Sequence, residues 1–401
     1  MHAPYNTRKN YNQPFHNANA FLTPNETYYS WYNIAMRTFQ NILISSITTM
    51  RLGGPARYVI EIEKKEDVHA AYNFAHLNGL PIFVLGYGAN SIGHDEGFNG
   101  AIIINRIRGI TSAPWTEEDA AKEPPVINSD EEDTTKQKSK ATGPAQKIIA
   151  MGGEYWDDVV AYACEKGLTG IEALSKIPGL AGAAPVQNIG AYGQEIADTL
   201  VEIEVFDSVT NSFKTLTKSD LQFSYRKSLL NTSEKGRYFV VSITLKLYPG
   251  TMEHPFYNSI ERYIEAKQHT DLSPNGIREV VSKIRASKLP DPLTTASAGS
   301  FFKNVYLTNE EAEVAEEKGY PVHRGHDGNK INTGWLIEQA GFKGKLLHGI
   351  RVSEKAPLVL INESATSYED LKQARNEIIG KIYDKFGYWI EQEPEEIKWK
   401  N

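Results

Sequence analysis

The 401-residue chain reads as an α+β or α/β protein of at least two domains. Three observations carry that reading. Short β-branched runs alternate with helical stretches, as strand–helix–strand units require. The texture changes near Pro249, from strands toward longer helical patterns. At about 150 residues per domain, the length itself suggests two or three.

The elements run in order along the chain. Residues 1–45 are polar, rich in aromatic rings around Tyr28–Tyr32 and without a clear period, so they read as an N-terminal extension closer to a tail than to a packed arm. Order is expected to begin near Ser46. Arg57–Glu63 is β-rich. Lys65–Asn78 is helical, with Val68, Ala71, Tyr72, Ala75 and His76 on one face and Gly79 past its end. Pro81–Leu85 is a short buried strand running into Gly86-Tyr-Gly-Ala-Asn-Ser91, and Ala101–Ile104 is another strand. Residues 113–146 cluster charge and proline with almost no periodic apolar positions, which predicts a disordered surface insertion. Strands resume at Lys147–Met151, and a helix covers Glu154–Lys166. Next comes a run of small residues, 177–193, and then strands at Leu200–Phe206 and Tyr238–Leu247. Beyond Pro249, Asn309 is expected to cap a helix through Glu317, and Leu358–Ile361 is a strand. Ser367-x-x-Asp370 opens a long helix that Gly387 closes, and a last strand covers Tyr388–Glu391.

Composition removes several function classes. Asp and Glu total 50 against 43 Lys and Arg, a net charge of −7, so no basic face for nucleic acid is expected. One cysteine, Cys164, excludes an internal disulfide and any multi-cysteine metal site, and the ten histidines show no ligand spacing, so no metal is expected. No apolar run approaches the roughly 20 residues of a membrane span, and the first residues lack a signal-peptide core. A cytoplasmic enzyme or binding protein remains.

Five motifs could carry chemistry. Gly86-Tyr-Gly-Ala-Asn-Ser91 comes after a strand but fails the G-x-G-x-x-G pattern at position 91, and the next residues, Ile92-Gly-His-Asp-Glu-Gly97, do not start a helix. A side-chain-poor turn remains, whose amides suit a phosphate. The stretch 177–193 combines small residues with Gln187 and Asn188, which suits backbone lying close to a flat or charged ligand. Ser300 sits in Ala298-Gly-Ser-Phe-Phe-Lys-Asn304, which is not G-x-S-x-G, so a hydrolase elbow is ruled out; alone it would be a turn serine. Tyr225-Arg226 can clamp a carboxylate or phosphate, although alone it would be a surface pair. The acidic run Glu391–Glu396 would alone be a solvated terminus.

Taken together and in this order, these segments resemble the UDP-N-acetylenolpyruvoylglucosamine reductases, flavoenzymes of peptidoglycan precursor synthesis. Met50-Arg-Leu-Gly-Gly, Gly170-Ile-Glu-Ala-Leu, Lys288-Leu-Pro-Asp-Pro, Gly334-Trp-Leu-Ile-Glu-Gln and Phe386–Glu393 complete the match. It spans about 46–397 apart from 113–146. Pro-Val-Gln-Asn-Ile-Gly-Ala-Tyr-Gly193 and the Ser300 motif are its most specific parts.

The resemblance implies a non-Rossmann FAD-binding domain of two α+β subdomains over 46–248 and an α/β substrate-binding domain over 249–401. It implies FAD as cofactor, NADPH as hydride donor, and UDP-N-acetylglucosamine enolpyruvate as substrate. Gly86, Gly88, Ala89, Asn90 and Ser91 would hold the pyrophosphate. Pro178, Gly179, Gly182, Ala183, Gln187, Asn188, Gly190 and Ala191 would line the flavin. Ser300 would be the proton donor, with Arg226 and Glu393 stabilising the substrate carboxylate. Glu393 would need a pKa raised by burial in order to donate. Tyr225, Lys288 and Asn304 would contact substrate, as would Tyr257, carried by the extra loop of the longer family class between Pro249 and Leu272. A monomer is expected.

Departures are specific. Ala89, Val305 and Ala356 stand where the family has serine, proline and glutamine. Gln392 and Pro394 alter the surroundings of Glu393, and another register would put Glu395 in its place. Two rival readings are a flavin oxidase with covalently attached cofactor, for which His94 lies close to the turn, and a catalytically inactive binding protein.

Overall fold

The computed structural model describes residues 27–31, 34–121, 136–325 and 328–399. Its first layer is a five-stranded sheet, ordered Thr27–Trp31, Ile34–Leu43, Pro55–Ile62, Phe98–Asn105, Ile82–Leu85. The first two pairings are antiparallel and the last two parallel. The second layer is a seven-stranded antiparallel sheet. Its long central strand, Tyr238–Met252, pairs with Leu200–Asp207 and Gln146–Met151, and near its end with Leu168–Thr169 and Ser139–Ala141.

The helix Asp67–Leu77 lies between these two sheets. Val68, Ala71, Tyr72 and Ala75, at the spacing of one helical face, pack with Ile60, Ile62 and Ile103 on one side and Phe206, Phe239 and Val241 on the other. Phe74 joins them, whereas His76 is exposed. Helix Trp156–Glu165 covers the second sheet and buries Cys164, whose thiol burial pushes well above its ordinary pKa. Among the described residues no helix is long and apolar enough to cross a membrane.

The C-terminal part centres on a four-stranded antiparallel sheet, Ser297–Ser300, Val359–Asn362, Ile350–Val352, Leu346–Leu347. Helix Tyr368–Phe386 packs on it, opened by the Ser367/Asp370 capping box and closed by Gly387 at φ 78°. Caps of this kind contribute about 1 kcal/mol each. Met50, Leu52 and Ile92 enter this core from the first layer, so the two parts share apolar contacts.

Several expectations shift. The extension is a strand from Ile34 to Leu43, with Thr38 buried and Phe39 and Ile42 packed beside Ile44, Val59 and Phe98. Pairing with Pro55–Ile62 and packing of its apolar residues order it, although the residues before it are polar. Residues 1–26 lie outside the described residues, as do 122–135 of the insertion. The flanks of the insertion are ordered. Helix Glu117–Ala121 is held by Asp119, which accepts from Thr116 and pairs with Lys147 at 2.6 Å, and Ser139–Ala141 returns as a strand. The long strand runs through Pro249 to Met252. The helices Asn258–Lys267 and Pro274–Lys288 then pack on Ala173 and Met252 of the second layer. Thr308, one residue before Asn309, is the cap of its helix. The last strand is Glu395–Ile397, which pairs in parallel with Ser91–Gly93.

Candidate active site

The strand Ile82–Leu85 ends in the turn 86–90. Gly88 has φ +74°, and a Cβ there would come 2.3 Å from the Ile47 carbonyl oxygen. Only glycine fits, because the Ile47–Thr49 backbone lies directly against it, with Thr49 N–H donating to Gly88 O at 3.0 Å. Among the described residues no backbone oxygen accepts from the amides of Tyr87, Gly88, Ala89 or Asn90. Unpaired, clustered amides of this kind form an anion-binding concavity.

The loop 177–193 faces the turn. Together they wall a cleft of about 320 Å³ that opens through Tyr87, Pro178, Gly179, Arg285 and Gly299 into a wider space of about 680 Å³. A Cβ at Gly179 or Gly299 would meet no protein atom within 4 Å, so bare backbone leaves room for a flat ring. Asn90 Nδ2 donates to Gln187 Oε1 at 2.8 Å, and Gln187 Nε2 reaches the Glu393 carbonyl at 3.5 Å. Turn, loop and C-terminal segment are thereby tied together. FAD fits this setting: the free amides suit its pyrophosphate, and the glycine walls suit its ring system.

Arg226, Ser300 and Glu393 line the same cleft. Arg226 sits in a tight turn at φ 54°, fastened by reciprocal Ser224 and Lys227 backbone bonds. Its guanidinium donates to Gly190 O at 3.1 Å and lies 3.4 Å from a Glu393 carboxylate oxygen. Burial raises the Glu393 pKa above its ordinary value, and Arg226 and Lys303 oppose that shift. With 15% of its side chain exposed, desolvation outweighs the long ion pair. The backbone N–H of Glu393 donates to Phe301 O, which fixes it beside Ser300, an exposed residue on the cleft wall. Glu395 also borders the cleft, but it is paired with Lys235 at 2.7 Å and engaged in the parallel strand. Of the two, Glu393 is the one beside Arg226.

Of the expected cofactor residues, Gly86, Gly88, Ala89, Asn90, Ser91, Pro178, Gly179, Ala183, Gln187 and Gly190 line the cleft. Gly182 does not; it packs beneath, where a Cβ would lie 3.0 Å from Gly152. Asn188 is buried and spends its amide on Glu195, Ser224 O and Ala197 N–H, a structural use in place of the expected cofactor contact. Ala191 lies in a two-residue strand. Tyr225 packs on Tyr306 at 4.8 Å. Lys288 is exposed at its helix end, Asn304 Oδ1 accepts from Thr333 N–H, and Tyr257 stands outside the cleft wall, edge-on to Tyr192 at 5.7 Å. His94 bonds Glu396 at 3.1 Å and stacks on Tyr368, away from the cleft, so the covalent-flavin reading loses its histidine.

Arg285 is a site residue that sequence reasoning misses. It lines both parts of the cleft, and burial pulls its pKa down, against a bond with Tyr192. It stands one helical turn before Lys288, so the helix face that carries Lys288 is the signal that could have revealed it.

Residues 56–211 match the model of an FAD binding domain, which makes the glycine-walled cleft that of a flavoprotein. Residues 291–397 match the C-terminal domain of UDP-N-acetylenolpyruvoylglucosamine reductase. A reductase of that name from Ralstonia nicotianae is 32% identical over 349 residues, 86% of this chain and 95% of the relative. One from Escherichia coli is 30% identical over 341 residues, 84% and 90%. The chain belongs to the UDP-N-acetylenolpyruvoylglucosamine reductase family. The solved reductase from Thermus caldophilus shares the fold at a TM-score of 0.57 and 22% identity, covering 91% of this chain and all of its own.

Proposed function

We propose that Arg226, Glu393 and Ser300 divide the chemistry of an enolpyruvyl sugar-nucleotide reduction among them. The overall reaction converts UDP-N-acetylglucosamine enolpyruvate to UDP-N-acetylmuramate in peptidoglycan precursor synthesis. FAD, which the 86–90 turn and the 177–193 loop would hold, would supply the hydride-transfer chemistry between NADPH and the substrate alkene.

Addition of hydride to the alkene builds negative charge on the carbon next to the substrate carboxylate. Arg226 meets that carboxylate with a fixed positive charge. Glu393, whose pKa burial raises, is the acid placed to donate a proton to it. Ser300, on the same cleft beside Glu393, delivers the proton that completes the reduction. The amides of the 86–90 turn would hold the pyrophosphate of the cofactor, and Gly179, Gln187 and Gly190, which line the cleft, would border its ring system.

We assign FAD to 46–248 and substrate to 249–401, with Tyr225, Tyr257, Lys288 and Asn304 engaging the sugar nucleotide as it closes the cleft. Helices 258–267 and 274–288, although they come after Pro249, pack on the FAD-side core and so form a shared wall. A cytoplasmic monomer that binds no nucleic acid suits the composition.

The carrying observation is the convergence of an acid with raised pKa, a cation and a hydroxyl on one glycine-walled cleft. A visible spectrum of the purified protein tests it. Flavin absorbance should be present, should bleach with NADPH and should return with the enolpyruvyl sugar nucleotide. Protein without flavin, or flavin that NADPH leaves unbleached, overturns the reading.

A further inference from the structure

The insertion has no counterpart in the motifs that mark the family, yet its returning limb touches the loop that carries Tyr257. Gln137 donates its backbone N–H to Gly193 O at 2.9 Å, at the end of the cleft-lining loop. Its side chain bridges a bend: Nε2 donates to Glu253 O at 2.6 Å, and Oε1 accepts the Tyr257 N–H at 3.0 Å. The neighbouring chain continues the clamp. Glu253 N–H donates to Lys138 O at 2.8 Å, Ser139–Ala141 pairs with Gly250–Met252, and Thr169 Oγ1 donates to Ser139 Oγ.

Tyr257 needs such a clamp. It is 48% exposed, so its own burial does not fix its position. It precedes helix Asn258–Lys267 without a side-chain cap. Its ring meets Tyr192 edge-on, and Tyr192 interacts electrostatically with Arg285, which lines the cleft. A short, continuous path therefore runs from Gln137 to the substrate side of the site.

We propose that Gln137 is a positioning residue, which presents Tyr257 to the sugar nucleotide by anchoring its backbone. The inference rests on the substrate role assigned to Tyr257 above. It gives the ordered limb of the insertion, 136–141, a part in substrate affinity. Preordering the loop removes an ordering cost from binding, and that gain applies equally to ground state and transition state.

The test is steady-state kinetics of the holoenzyme with the enolpyruvyl sugar nucleotide varied. Gln137→Met keeps side-chain length without either hydrogen bond. It should raise KM about tenfold with kcat within about threefold, the signature of lost uniform binding. In a Tyr257→Ala background the same change should raise KM by less than about twofold, because coupled residues are not additive. Gln137→Glu, which keeps the acceptor for Tyr257 N–H, should hold KM within about threefold of wild type and serves if the Met variant folds poorly. An unchanged KM in Gln137→Met, or the same multiplication of KM in both backgrounds, overturns the inference. A Tyr257→Ala variant with normal KM instead overturns the substrate role of Tyr257, a separate failure.

Discussion

Ser300→Ala separates chemistry from architecture. Ser300 ends the strand Ser297–Ser300, where its backbone faces Val359, and its side chain is exposed on the cleft wall. The neighbouring Phe301 and Phe302 carry the packing, both buried in the C-terminal core. Removing one exposed hydroxyl at such a place changes stability by about 0.5 kcal/mol or less. Removing a positioned proton donor costs about 100- to 10,000-fold in rate, or about 2.7–5.5 kcal/mol of barrier. The two scales differ enough for one experiment to tell them apart. Anaerobic stopped-flow tracks flavin absorbance through each half-reaction. Reduction by NADPH should stay within about twofold of wild type, since no proton from Ser300 enters it, while reoxidation by the enolpyruvyl sugar nucleotide falls by at least about 100-fold. Reoxidation within about threefold of wild type would refute the assignment, and an equal loss in both half-reactions would point to a misplaced cofactor.

Two further outcomes test the site from other sides. Gly88→Ala places a Cβ 2.3 Å from the Ile47 carbonyl at φ +74°; left-handed strain of about 1–2 kcal/mol alone weakens FAD about tenfold, which fluorescence titration of released flavin would register. Glu393→Gln should flatten the pH dependence of stability. A raised carboxyl pKa means that the folded state holds the proton more tightly, so wild type loses stability as pH climbs from about 4.5 through the raised value. The melting-temperature difference of the variant from wild type should therefore move in the variant's favour as pH rises above about 4.5; a gap that stays constant with pH would count against the burial of Glu393.

Much of this was legible in the residues themselves. The capping box at Ser367 and Asp370, the helix face of Val68, Ala71, Tyr72 and Ala75, and the glycine turn at 86–91 are local patterns, and local sterics and hydrogen bonding produce them wherever they occur. The order and spacing of motifs singled out Ser300, Arg226 and Glu393, three residues that line one cleft. Other features escaped. The strand Ile34–Leu43 shows no clean alternation of apolar and polar residues and exists through pairing with Pro55–Ile62. Asn188 reads like a ligand residue but spends its amide on Glu195 and Ser224. Arg285 reads like any helix-surface arginine until the fold sets it, half-buried, at the cleft.

The sequence by itself determined the class of the fold, its helices and turns, and which residue types could do the chemistry, because those depend on periodicity, caps and backbone allowances within a few residues. Only the tertiary structure decided which amides of the turn remain unpaired and which of Glu393 and Glu395 faces Arg226. It likewise decided that the ends of the insertion are ordered, with Gln137 holding the Tyr257 backbone. Each of these depends on desolvation and on partners distant in the chain, and no local pattern records what a distant segment will bury or bond.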